Sequence, residues 1–496
     1  MTNRRKRRAR QKEQPRIVGS RPFLLPERPF TLLAPEQIEQ IHAASLKILA
    51  RTGVVFNEAT AVAHFRQAGA RVEGNRVYLE PELIRHCLAS TPAQYTLHAR
   101  NPAQSVTIGG RSGAVMPGGG PPFVRDLDGV RRPGTLADMA NFARLSQLAP
   151  DVHVVARKAV EAQDIDPRVR HLRCWYELLT LTDKPGQSGF VNGRAEAEDV
   201  LQMLAIVFGG EAAIDGTPVA HCSVNANSPL LYDTPMLESL LLFARYGQPI
   251  LITPFVMAGV TGPVTLAGAL AQHNAEVLAG LCLVQLVRPG TPVLYGTATS
   301  NVDLHNGNPA IGSPESAQSI AICAQLARFY HLPCRGGGAL TDSPIPDGQS
   351  QYERMMTLLM SALSGVHYLM HGLGVLESYL TLSYAQFVLD WELLAMVRHI
   401  LQPVTINEDT LALDTIDAVG PGGHFLDAAH TLARYRAAHF QPQISIRRPF
   451  EQWQEQAATR CRELLASYEK PEMDTAVADQ LHHFVQERAA ALSGKN

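Results

Sequence analysis

PVLYGTATSNVDLHNGNPAIGSPESAQSIAICAQLARFYHLPCRGGGALTDSPIPDGQSQY, residues 292–352, is the stretch that decides the fold. Its pattern predicts a short apolar strand, a polar loop rich in Gly and Asn, an amphipathic helix, a second strand, and a second loop with Gly and Asp. In a barrel of alternating strands and helices, the loops that follow the strands meet at one mouth, where substrates bind. Both loops carry more polar groups than a structural connection needs, so we expect a functional site at these strand ends.

The same alternation extends through most of the chain. Strand-like apolar runs recur about every 30 to 45 residues, which is the spacing of βα units with right-handed crossovers. Eight such runs fall near residues 152–157, 187–191, 218–224, 249–256, 291–298, 333–339, 365–371 and 412–419. Helical stretches separate them at 168–180, 194–208, 234–246, 266–287, 314–330, 348–363 and 383–401. Eight units close a (β/α)8 TIM barrel, an α/β fold; the alternative is an open doubly wound sheet, whose glycine fingerprint after the first strand is missing.

The segment before this repeat divides into two parts. Residues 1–30 contain the basic run RRKRRAR (residues 4–10) and several prolines, and they predict a solvated, disordered tail. Residues 31–134 predict a helical extension, because apolar residues recur with helical periodicity and short helices cannot bury an apolar face alone. We expect this extension to dock on the main body, residues 135–496, which holds the barrel and further C-terminal helices.

Three glycines, Gly118, Gly119 and Gly120, separate two strand-like runs late in the extension. They do not form G-x-G-x-x-G and they precede prolines instead of a helix, which argues against a dinucleotide site. Glycine lets the backbone approach another group closely. That group is either a ligand or a neighbouring loop, and the sequence leaves both interpretations open.

Composition and charge exclude several classes of protein. The formal net charge of −2 argues against non-specific binding to nucleic acid, and the basic run lacks the apolar or aromatic partners of a nucleic-acid or membrane-surface tail. The most apolar run, Val277 to Val287, is too short to span a bilayer. The seven cysteines are scattered without a C-x-x-C motif, which favours reduced thiols. We therefore expect a cytoplasmic protein that binds neither nucleic acid nor membrane.

Metal and nucleophile motifs are weak. Asp303-x-His305 offers two ligands, and His424 with His430 offers two more, but there is no H-E-x-x-H. No G-x-S-x-G precedes a helix, so a serine nucleophile is not indicated. We expect no tightly bound metal.

Aromatic side chains fall on or just beyond the predicted strand ends, namely Phe255, Tyr295, Tyr352, Tyr368 and Tyr379. An aromatic face attracts a cation without a directional hydrogen bond, with about 0.5–2 kcal/mol for each desolvated contact. This suits a quaternary ammonium, which has no N–H to donate. Aromatic residues at strand ends also serve as core plugs, so both interpretations stay open.

Four segments resemble the trimethylamine methyltransferase family, a group of corrinoid-dependent methyltransferases. They are GPVTLAGALAQHNAEVLAGLCLVQLVRPGTPVLYG (262–296), GSPESAQSIAICAQLARFYHLPCRGGGALTDSPIPDGQSQYE (312–353), LLMSALSGVHYLMHGLGVLES (358–378) and VGPGGHFLDAAHTLARYR (419–436). The similarity runs from about Leu32 to the C terminus. The resemblance implies a (β/α)8 barrel with an N-terminal extension, in agreement with the repeat above.

The resemblance also implies a reaction. A methylated amine donates a methyl group to cob(I)alamin on a separate corrinoid protein, which gives the demethylated amine and methylcob(III)alamin. One branch of the family uses trimethylamine and contains pyrrolysine, whereas this chain has only standard residues and has Pro344 in the corresponding region. It therefore resembles the other branch, whose members use quaternary amines such as glycine betaine. The segment DLHNGN (303–308) departs from the DMRTG-like run of many relatives, which leaves the identity of the amine open.

Candidate site residues follow from the resemblance together with residue chemistry. Substrate-binding candidates are aromatic residues for the ammonium group and polar residues for a carboxylate: Phe255, Tyr295, Asn301, His305, Arg335, Gln349, Tyr352 and His371. Catalytic candidates, which orient these groups or titrate with them, are Asp303, Asp342 and Glu377. Candidates for the approach of the corrin ring are Gly336, Gly337, Gly338, Gly422, Gly423 and His424.

Two alternatives to this function remain. One is a barrel that binds a methylated amine but has lost methyl transfer, and the other is a different corrinoid-dependent or metal-dependent TIM-barrel enzyme. The expected partners are a small methylated amine and a corrinoid protein. The sequence leaves the oligomeric state open, with a homo-oligomer as one option.

Overall fold

Eight parallel strands and eight helices alternate along the chain and close into a barrel. The computed structural model describes residues 20–190, 193–436, 438–445 and 453–494; most of the predicted basic tail, residues 1–19, lies outside them. The barrel strands are β1 Ser112–Val115, β2 Val155–Ala156, β3 Gly186–Phe190, β4 Ala220–Val224, β5 Ile250–Ile252, β6 Val293–Gly296, β7 Cys334–Gly337 and β8 Tyr368–Met370. The helices that follow them are α1 Leu136–Leu148, α2 Pro167–Leu181, α3 Arg194–Phe208, α4 Thr234–Arg245, α5 Leu266–Val287, α6 Pro314–Phe329, α7 Gly348–Leu363 and α8 Tyr384–Ile400.

Neighbouring strands pair in parallel from β2 through β8, and β8 pairs in parallel with β1. The ring closes between β1 and the start of β2, where the N–H groups of His153 and Val154 donate to Val115 O at 2.9 and 3.3 Å. The (β/α)8 barrel predicted from the repeat is therefore confirmed. The polar residues at the C-terminal ends of its parallel strands lie at one mouth of the barrel.

The position of one barrel strand differs from the prediction. The predicted strand at 412–419 is wrong, because the chain there forms the helix Leu413–Val419. The eighth strand is β1, which lies within residues 31–134, the segment predicted to be the extension. Its SGAV run is short and interrupted by glycine, so its apolar signal is weak, and pairing with Tyr368 and Leu369 of β8 defines it. The predicted domain boundaries at residues 30 and 134 stay predictions.

The other strands and helices form the extension, the loops of the mouth and the C-terminal region. The additional strands are Phe23–Leu24, Val54–Phe56, Arg71–Glu73, Arg76–Tyr78, Gln94–Leu97, Val106–Gly109, Phe123–Arg125, Arg131–Pro133, Leu231–Tyr232, Met257–Ala258, Ser300–Asn301, Val375–Leu376 and Thr381–Ser383. The additional α-helices are Pro35–Arg51, Ala59–Gln67, Pro81–Ser90, Glu211–Ile214, Glu408–Leu411, Leu413–Val419, Ala429–Arg434, Trp453–Ala466 and Thr475–Ser493.

Helix α5 joins the extension to the barrel. The helices Pro35–Arg51 and Pro81–Ser90 pack against α5, and Asn274 of α5 donates to Ser45 Oγ at 2.9 Å. Because α5 has the barrel on one side and the extension on the other, most of its circumference is buried, including polar side chains such as Asn274 and Glu276. It is the one described helix long and apolar enough to cross a membrane, but 89% of its most apolar window is buried by protein. This burial is typical of a core helix.

The C-terminal arm, residues 402–436, is the most exposed part of the described chain. Its three short helices, Glu408–Leu411, Leu413–Val419 and Ala429–Arg434, contain no buried residue. An ion pair between Arg434 and Asp409 at 2.5 Å links the last of them to the first. The arm therefore holds its shape through local contacts and leaves its apolar side chains in solvent.

Candidate functional site

A cavity of about 220 Å³ opens at the C-terminal ends of the barrel strands. Its walls come from the ends of β4, β5, β7 and β8 and from the loops after β1, β6 and β8. The lining residues are Gly119, Gly120, Ser223, Asn225, Thr253, Phe255, Ala298, Arg335, Met370, His371 and Tyr379. The cavity combines apolar and aromatic side chains with a few polar groups, which is the usual make-up of a small-molecule site.

Arg335 is the charged residue in this wall. Its side chain points from β7 into the barrel and is only 3% exposed. The guanidinium donates from Nη1 to Thr297 O, and its Nε and Nη2 lie 3.3 and 3.0 Å from Met370 Sδ. A thioether is a weak acceptor, and none of the described carboxylates pairs with this cation. Burial lowers the pKa of Arg335 below its ordinary value, and an anion in the cavity would compensate the buried charge.

Below the cavity, a layer of neutral polar side chains fills the barrel. Gln187 donates from Nε2 to Ser223 Oγ at 2.7 Å and accepts a hydrogen bond from the Tyr368 hydroxyl. The same hydroxyl lies 3.2 Å from Met116 Sδ, and the Tyr368 ring packs edge-on against His221 at 4.9 Å. Burial raises the pKa of Tyr368 and lowers the pKa of His221 to about 3, so both groups are neutral. This layer gives the cavity a floor without charge.

Three rings form the aromatic wall: Phe255 after β5, His371 after β8, and Tyr379 in the following loop. The centroids of His371 and Tyr379 are 4.7 Å apart, with the rings tilted by 49°. The backbone N–H of Gly119 donates to His371 Nδ1 at 3.4 Å. Burial, with a further contribution from Arg335, lowers the pKa of His371 well below its ordinary value. Burial raises the pKa of Tyr379 to about 12, so the wall offers neutral π faces to a ligand.

Three of the predicted substrate-binding residues, Phe255, Arg335 and His371, line the cavity. Tyr295 does not, because it faces the outer layer and its hydroxyl donates to Asn274 of α5 at 3.0 Å. Tyr352 on α7 is 65% exposed. Gln349 is also exposed, and its amide donates to Glu353 Oε1 at 2.9 Å within the same helix.

The loop after β6 holds the remaining predicted residues of that region outside the cavity. Asn301 accepts a hydrogen bond from Ser313 Oγ at 2.6 Å. Asp303 accepts from the backbone N–H of His305 at 2.9 Å and from Asn306 Nδ2 at 2.7 Å, and the His305 side chain is exposed. These contacts are those of a local turn on the rim.

Asp342 and Glu377, predicted as catalytic, also lie outside the cavity wall. Asp342 accepts from the backbone N–H groups of Ile311 and Gly312 at 3.0 and 2.9 Å and from Ser378 Oγ at 2.6 Å. Glu377 forms an ion pair with Arg131 at 2.8 Å. Both carboxylates connect loops of the mouth.

The glycines predicted for the corrin ring fall into two groups. A Cβ on Gly336 would meet Val366 and Ile320, and one on Gly338 would meet the Gly372 backbone at 2.6 Å, so the 336–338 run, with Gly337, allows close packing. Gly422, Gly423 and His424 lie in the exposed C-terminal arm, where His424 pairs with Asp427 at 3.4 Å.

Gly119 and Gly120 are the glycines that the structure places at the cavity. A Cβ on Gly120 would meet no atom within 4 Å, so the backbone leaves this side of the mouth open. The sequence left the role of this loop open between a ligand and a neighbouring loop. Gly118 approaches the segment after β8 closely, because a Cβ on it would meet Leu382 and Val375, the latter at 2.6 Å, whereas Gly119 and Gly120 line the cavity. A neighbouring loop therefore accounts for Gly118, and a ligand at Gly119 and Gly120 stays a prediction.

Ser223, Asn225, Thr253 and Tyr379 belong to the cavity but not to the predicted site residues. The sequence indicated the first three as polar groups at or just after the ends of β4 and β5, and Tyr379 as an aromatic residue at a strand end, without assigning any of them to the site. Asn225 Oδ1 is buried without a hydrogen-bond partner among the described residues. It is therefore available to a ligand.

The described part of the chain contains no group of three or more His, Cys, Asp or Glu residues placed to hold a metal ion. The expectation of a protein without a tightly bound metal stays a prediction. All seven cysteines are buried, and none of them forms a disulfide.

Comparison with known proteins gives relatives over almost the whole chain. A family profile described as trimethylamine methyltransferase matches residues 1–493. The glycine betaine methyltransferase of Desulfitobacterium hafniense (strain Y51) is 41% identical over 472 residues, which cover 94% of this chain and 98% of that protein. The trimethylamine methyltransferase MttB of Desulfitobacterium hafniense (strain DSM 10664 / DCB-2) is 34% identical and covers 84% of both chains. The proline betaine:corrinoid methyltransferase of Eubacterium limosum is 29% identical, covering 91% of this chain and 96% of that protein.

A solved structure shares the fold. The monomethylamine methyltransferase of Methanosarcina barkeri superimposes with a TM-score of 0.50 over 90% of each chain, at 11% sequence identity. This likeness supports the barrel alone. The profile match and the 41% identical relative, both extending over nearly the full length, show that the chain belongs to the trimethylamine methyltransferase family.

Proposed function

We propose that this enzyme transfers a methyl group from a carboxylated quaternary amine such as glycine betaine to cob(I)alamin carried by a separate corrinoid protein. The observation that carries the proposal is a single cavity that holds both a buried guanidinium without a described carboxylate partner, Arg335, and an aromatic wall. Relatives named for glycine betaine and proline betaine methyl transfer support the same class of donor.

The two features of the cavity match the two charges of a betaine. A carboxylate at Arg335 supplies the missing counterion and strong hydrogen bonds to its free N–H groups. The ammonium group then packs against the π faces of Phe255 and Tyr379, which attract a cation that cannot donate a hydrogen bond. Trimethylamine would use only the second feature and would leave a buried cation unpaired beside it.

The chemistry that this chain must perform is positioning. The C–N bond of a quaternary ammonium breaks to release a neutral tertiary amine, so no proton has to be supplied. The corrinoid, when its carrier protein is bound, supplies the nucleophile that accepts the methyl group. The open side at Gly120 gives access to the cavity, and holding the donor in line with that side lowers the entropic barrier to transfer.

The neutral state of the aromatic wall fits this role. His371 and Tyr379 are both uncharged near neutral pH, and no Asp or Glu is among the described lining residues. A carboxylate beside the ammonium would stabilise the charged donor more than the transition state, in which that charge is dispersed. Neutral π faces bind the donor without this penalty.

The test is a screen of purified protein with cob(I)alamin, with and without a corrinoid protein, against glycine betaine, proline betaine, carnitine and trimethylamine. We expect the absorbance spectrum of methylcob(III)alamin to develop with at least one betaine and more slowly with trimethylamine. Tight binding of a betaine without any methyl transfer would instead identify a binding barrel. A trimethylamine rate above all betaine rates would contradict the role of Arg335.

A further inference from the structure

Part of the cavity wall is built on an unusual backbone. Glu377, Ser378 and Tyr379 are consecutive residues with φ of 55°, 48° and 73°. Side chains with a Cβ are disfavoured in this left-handed region, and glycine is the usual occupant. Such conformations persist only where the surroundings fix them, and they concentrate at functional sites.

Contacts from the loop after β7 fix the backbone of this turn. The N–H groups of Glu377 and Ser378 donate to Ser343 O at 2.9 Å and Thr341 O at 3.2 Å. Between these two bonds, Ser378 Oγ donates to Asp342 Oδ1 at 2.6 Å. The turn therefore follows the position of the Thr341–Ser343 segment.

The two carboxylates predicted as catalytic extend this support to other loops. Asp342 also accepts the backbone N–H groups of Ile311 and Gly312, which begin the turn into α6. Glu377 Oε2 accepts from Arg131 Nε at 2.8 Å and from Thr381 Oγ1 at 2.6 Å. The turn is held by three separate parts of the mouth.

These hydrogen bonds and the ion pair fix the position of the Tyr379 ring. Tyr379 reaches the cavity beside His371, and none of the described residues hydrogen-bonds its hydroxyl. The phenol thus serves no structural bond within the described chain. The turn therefore places the ring of Tyr379, and not a hydrogen-bonded hydroxyl, in the cavity wall.

We propose that Tyr379 is the wall that contacts the onium group of the donor, and that Asp342 and Glu377 are positioning residues that hold the left-handed turn beneath it. The proposal rests on the proposed function for the nature of the ligand. It assigns to Tyr379 the role that the sequence suggested for Tyr295 and Tyr352, which lie elsewhere. It also gives Asp342 and Glu377 a role without contact to the donor.

The test separates charge from shape with two ligands. Glycine betaine and 3,3-dimethylbutanoate have the same outline, but the second has carbon in place of the charged nitrogen. In calorimetric titrations, we expect the wild type to prefer glycine betaine and Tyr379→Leu to reduce that preference by about 2- to 30-fold, the range of a desolvated cation–π contact. Tyr379→Phe, which keeps the ring face, should retain the preference. An unchanged preference in Tyr379→Leu overturns the assignment.

A second pair of variants tests the turn. Ser378→Ala and Ser378→Gly both remove the hydroxyl that binds Asp342, but glycine adopts the left-handed conformation freely. We expect Ser378→Ala to lose most of the preference for glycine betaine, and Ser378→Gly to stay close to the wild type. Equal effects of the two substitutions would overturn the positioning role, and thermal unfolding checks that both variants are folded.

The titrations need no corrinoid, so the two proposals fail separately. If Tyr379→Leu reduces the preference for glycine betaine over 3,3-dimethylbutanoate, but the protein transfers no methyl group, only the proposed function is contradicted. If the enzyme transfers methyl from glycine betaine, but Tyr379→Leu keeps the preference for glycine betaine over 3,3-dimethylbutanoate, only this inference is contradicted.

Discussion

Arg335 and Tyr295 stand on neighbouring strands, yet they face opposite sides of the barrel wall. In the parallel register, Tyr295 pairs with Cys334 and Gly296 pairs with Arg335. Side chains alternate along a strand, so Tyr295 contacts α5 while Arg335 enters the cavity. The apolar runs located the strand that carries each residue, but they did not show which residues of that strand point into the barrel. Both residues were therefore predicted to lie at the mouth. A shift of one residue in this assignment exchanges a ligand contact for a packing contact.

Replacement of Arg335 tests the carboxylate site. Arg335→Gln should raise the KM for glycine betaine by about 10- to 100-fold, because it removes charged hydrogen bonds of about 1.5–3 kcal/mol. Binding of tetramethylammonium, which has no carboxylate, should improve or stay unchanged, since the cation in the cavity is gone. Steady-state methyl transfer and calorimetry measure the two quantities.

Tyr352→Ala is the matched control for this substitution. The residue was predicted for the same site, but its ring is exposed on α7. We expect the KM for glycine betaine to stay within about 2-fold of the wild type, as for other exposed positions away from a site. Equal losses in Arg335→Gln for glycine betaine and tetramethylammonium would show that Arg335 does not bind the carboxylate.

Among elements, helices were predicted better than strands. The predicted helix 314–330 agrees with α6, Pro314–Phe329, because Ser313 caps its first turn and Pro314 fits its first position. Helix α1 was not predicted, although Thr135 and Asp138 form a capping box at its start. β1 has four residues and lies in a strand-like run before Gly118, but only its pairing with a strand about 250 residues away makes it a strand of the barrel. Local capping signals are readable from sequence, whereas distant pairing is not.

A buried ion pair joins the last two barrel helices to the mouth. Arg354 on α7 donates to Asp390 Oδ2 on α8 at 2.7 Å and to Ala339 O at 2.8 Å, and Asp390 also accepts the backbone N–H of Gly374 at 2.6 Å. Both side chains are fully buried. Burial raises the pKa of Asp390 to about 6, against the opposing effect of Arg354. The pair fixes the loops after β7 and β8, which carry the cavity wall.

Loss of this pair should destabilise the fold. Asp390→Asn leaves the Arg354 charge buried and unpaired, and we expect the free energy of unfolding in denaturant to fall by about 3–5 kcal/mol. The control is Glu198→Gln, which breaks an exposed i,i+4 pair with Arg194 and should cost no more than about 0.5 kcal/mol. A loss below about 1 kcal/mol in Asp390→Asn would mean that solvent reaches the pair.

At the scale of the whole molecule, burial of histidines makes stability depend on pH. Burial lowers the pKa of His153 and His367 to about 4 and that of His221 and His273 to about 3. In the unfolded chain these groups titrate near pH 6.5, so the unfolded state binds more protons at pH about 6 to 7. The free energy of unfolding therefore decreases as the pH falls through this range, by up to about 1.4 kcal/mol per pH unit for each histidine.

Denaturant titrations at several pH values measure this slope. His273→Gln should reduce it by the contribution of one histidine, whatever the substitution does to stability at pH about 7. Asp390 acts in the opposite direction at lower pH, because the folded state holds its extra proton below about pH 6. A slope of zero or of the opposite sign above pH 6 would show that these imidazoles are protonated in the folded protein.

Among the described residues, exposed apolar side chains occur on the rim of the mouth and on the C-terminal arm. The rim surface, formed by Val260, Val264 and Leu304, lies on the mouth loops after β5 and β6, and Val264 is 67% exposed. The arm surface includes Val404 at 85% and Leu426 at 80% exposure in the C-terminal arm. Exposed apolar side chains grouped in this way are typical of contact surfaces. The rim surface lies on the loops of the mouth, where the proposed corrinoid acceptor would dock, whereas the arm surface belongs to residues 402–436.

Charged substitutions distinguish the two surfaces. Val264→Asp should raise the concentration of corrinoid protein needed for half-maximal methyl transfer by about 10-fold or more, because a buried unpaired carboxylate opposes docking. It should leave the sedimentation coefficient of the isolated enzyme unchanged. Leu426→Asp, in the arm surface, is the control for a charge placed on an exposed apolar side chain, and we expect it to leave that half-maximal concentration within about 2-fold of the wild type. An equal increase in both variants would contradict docking at the rim surface.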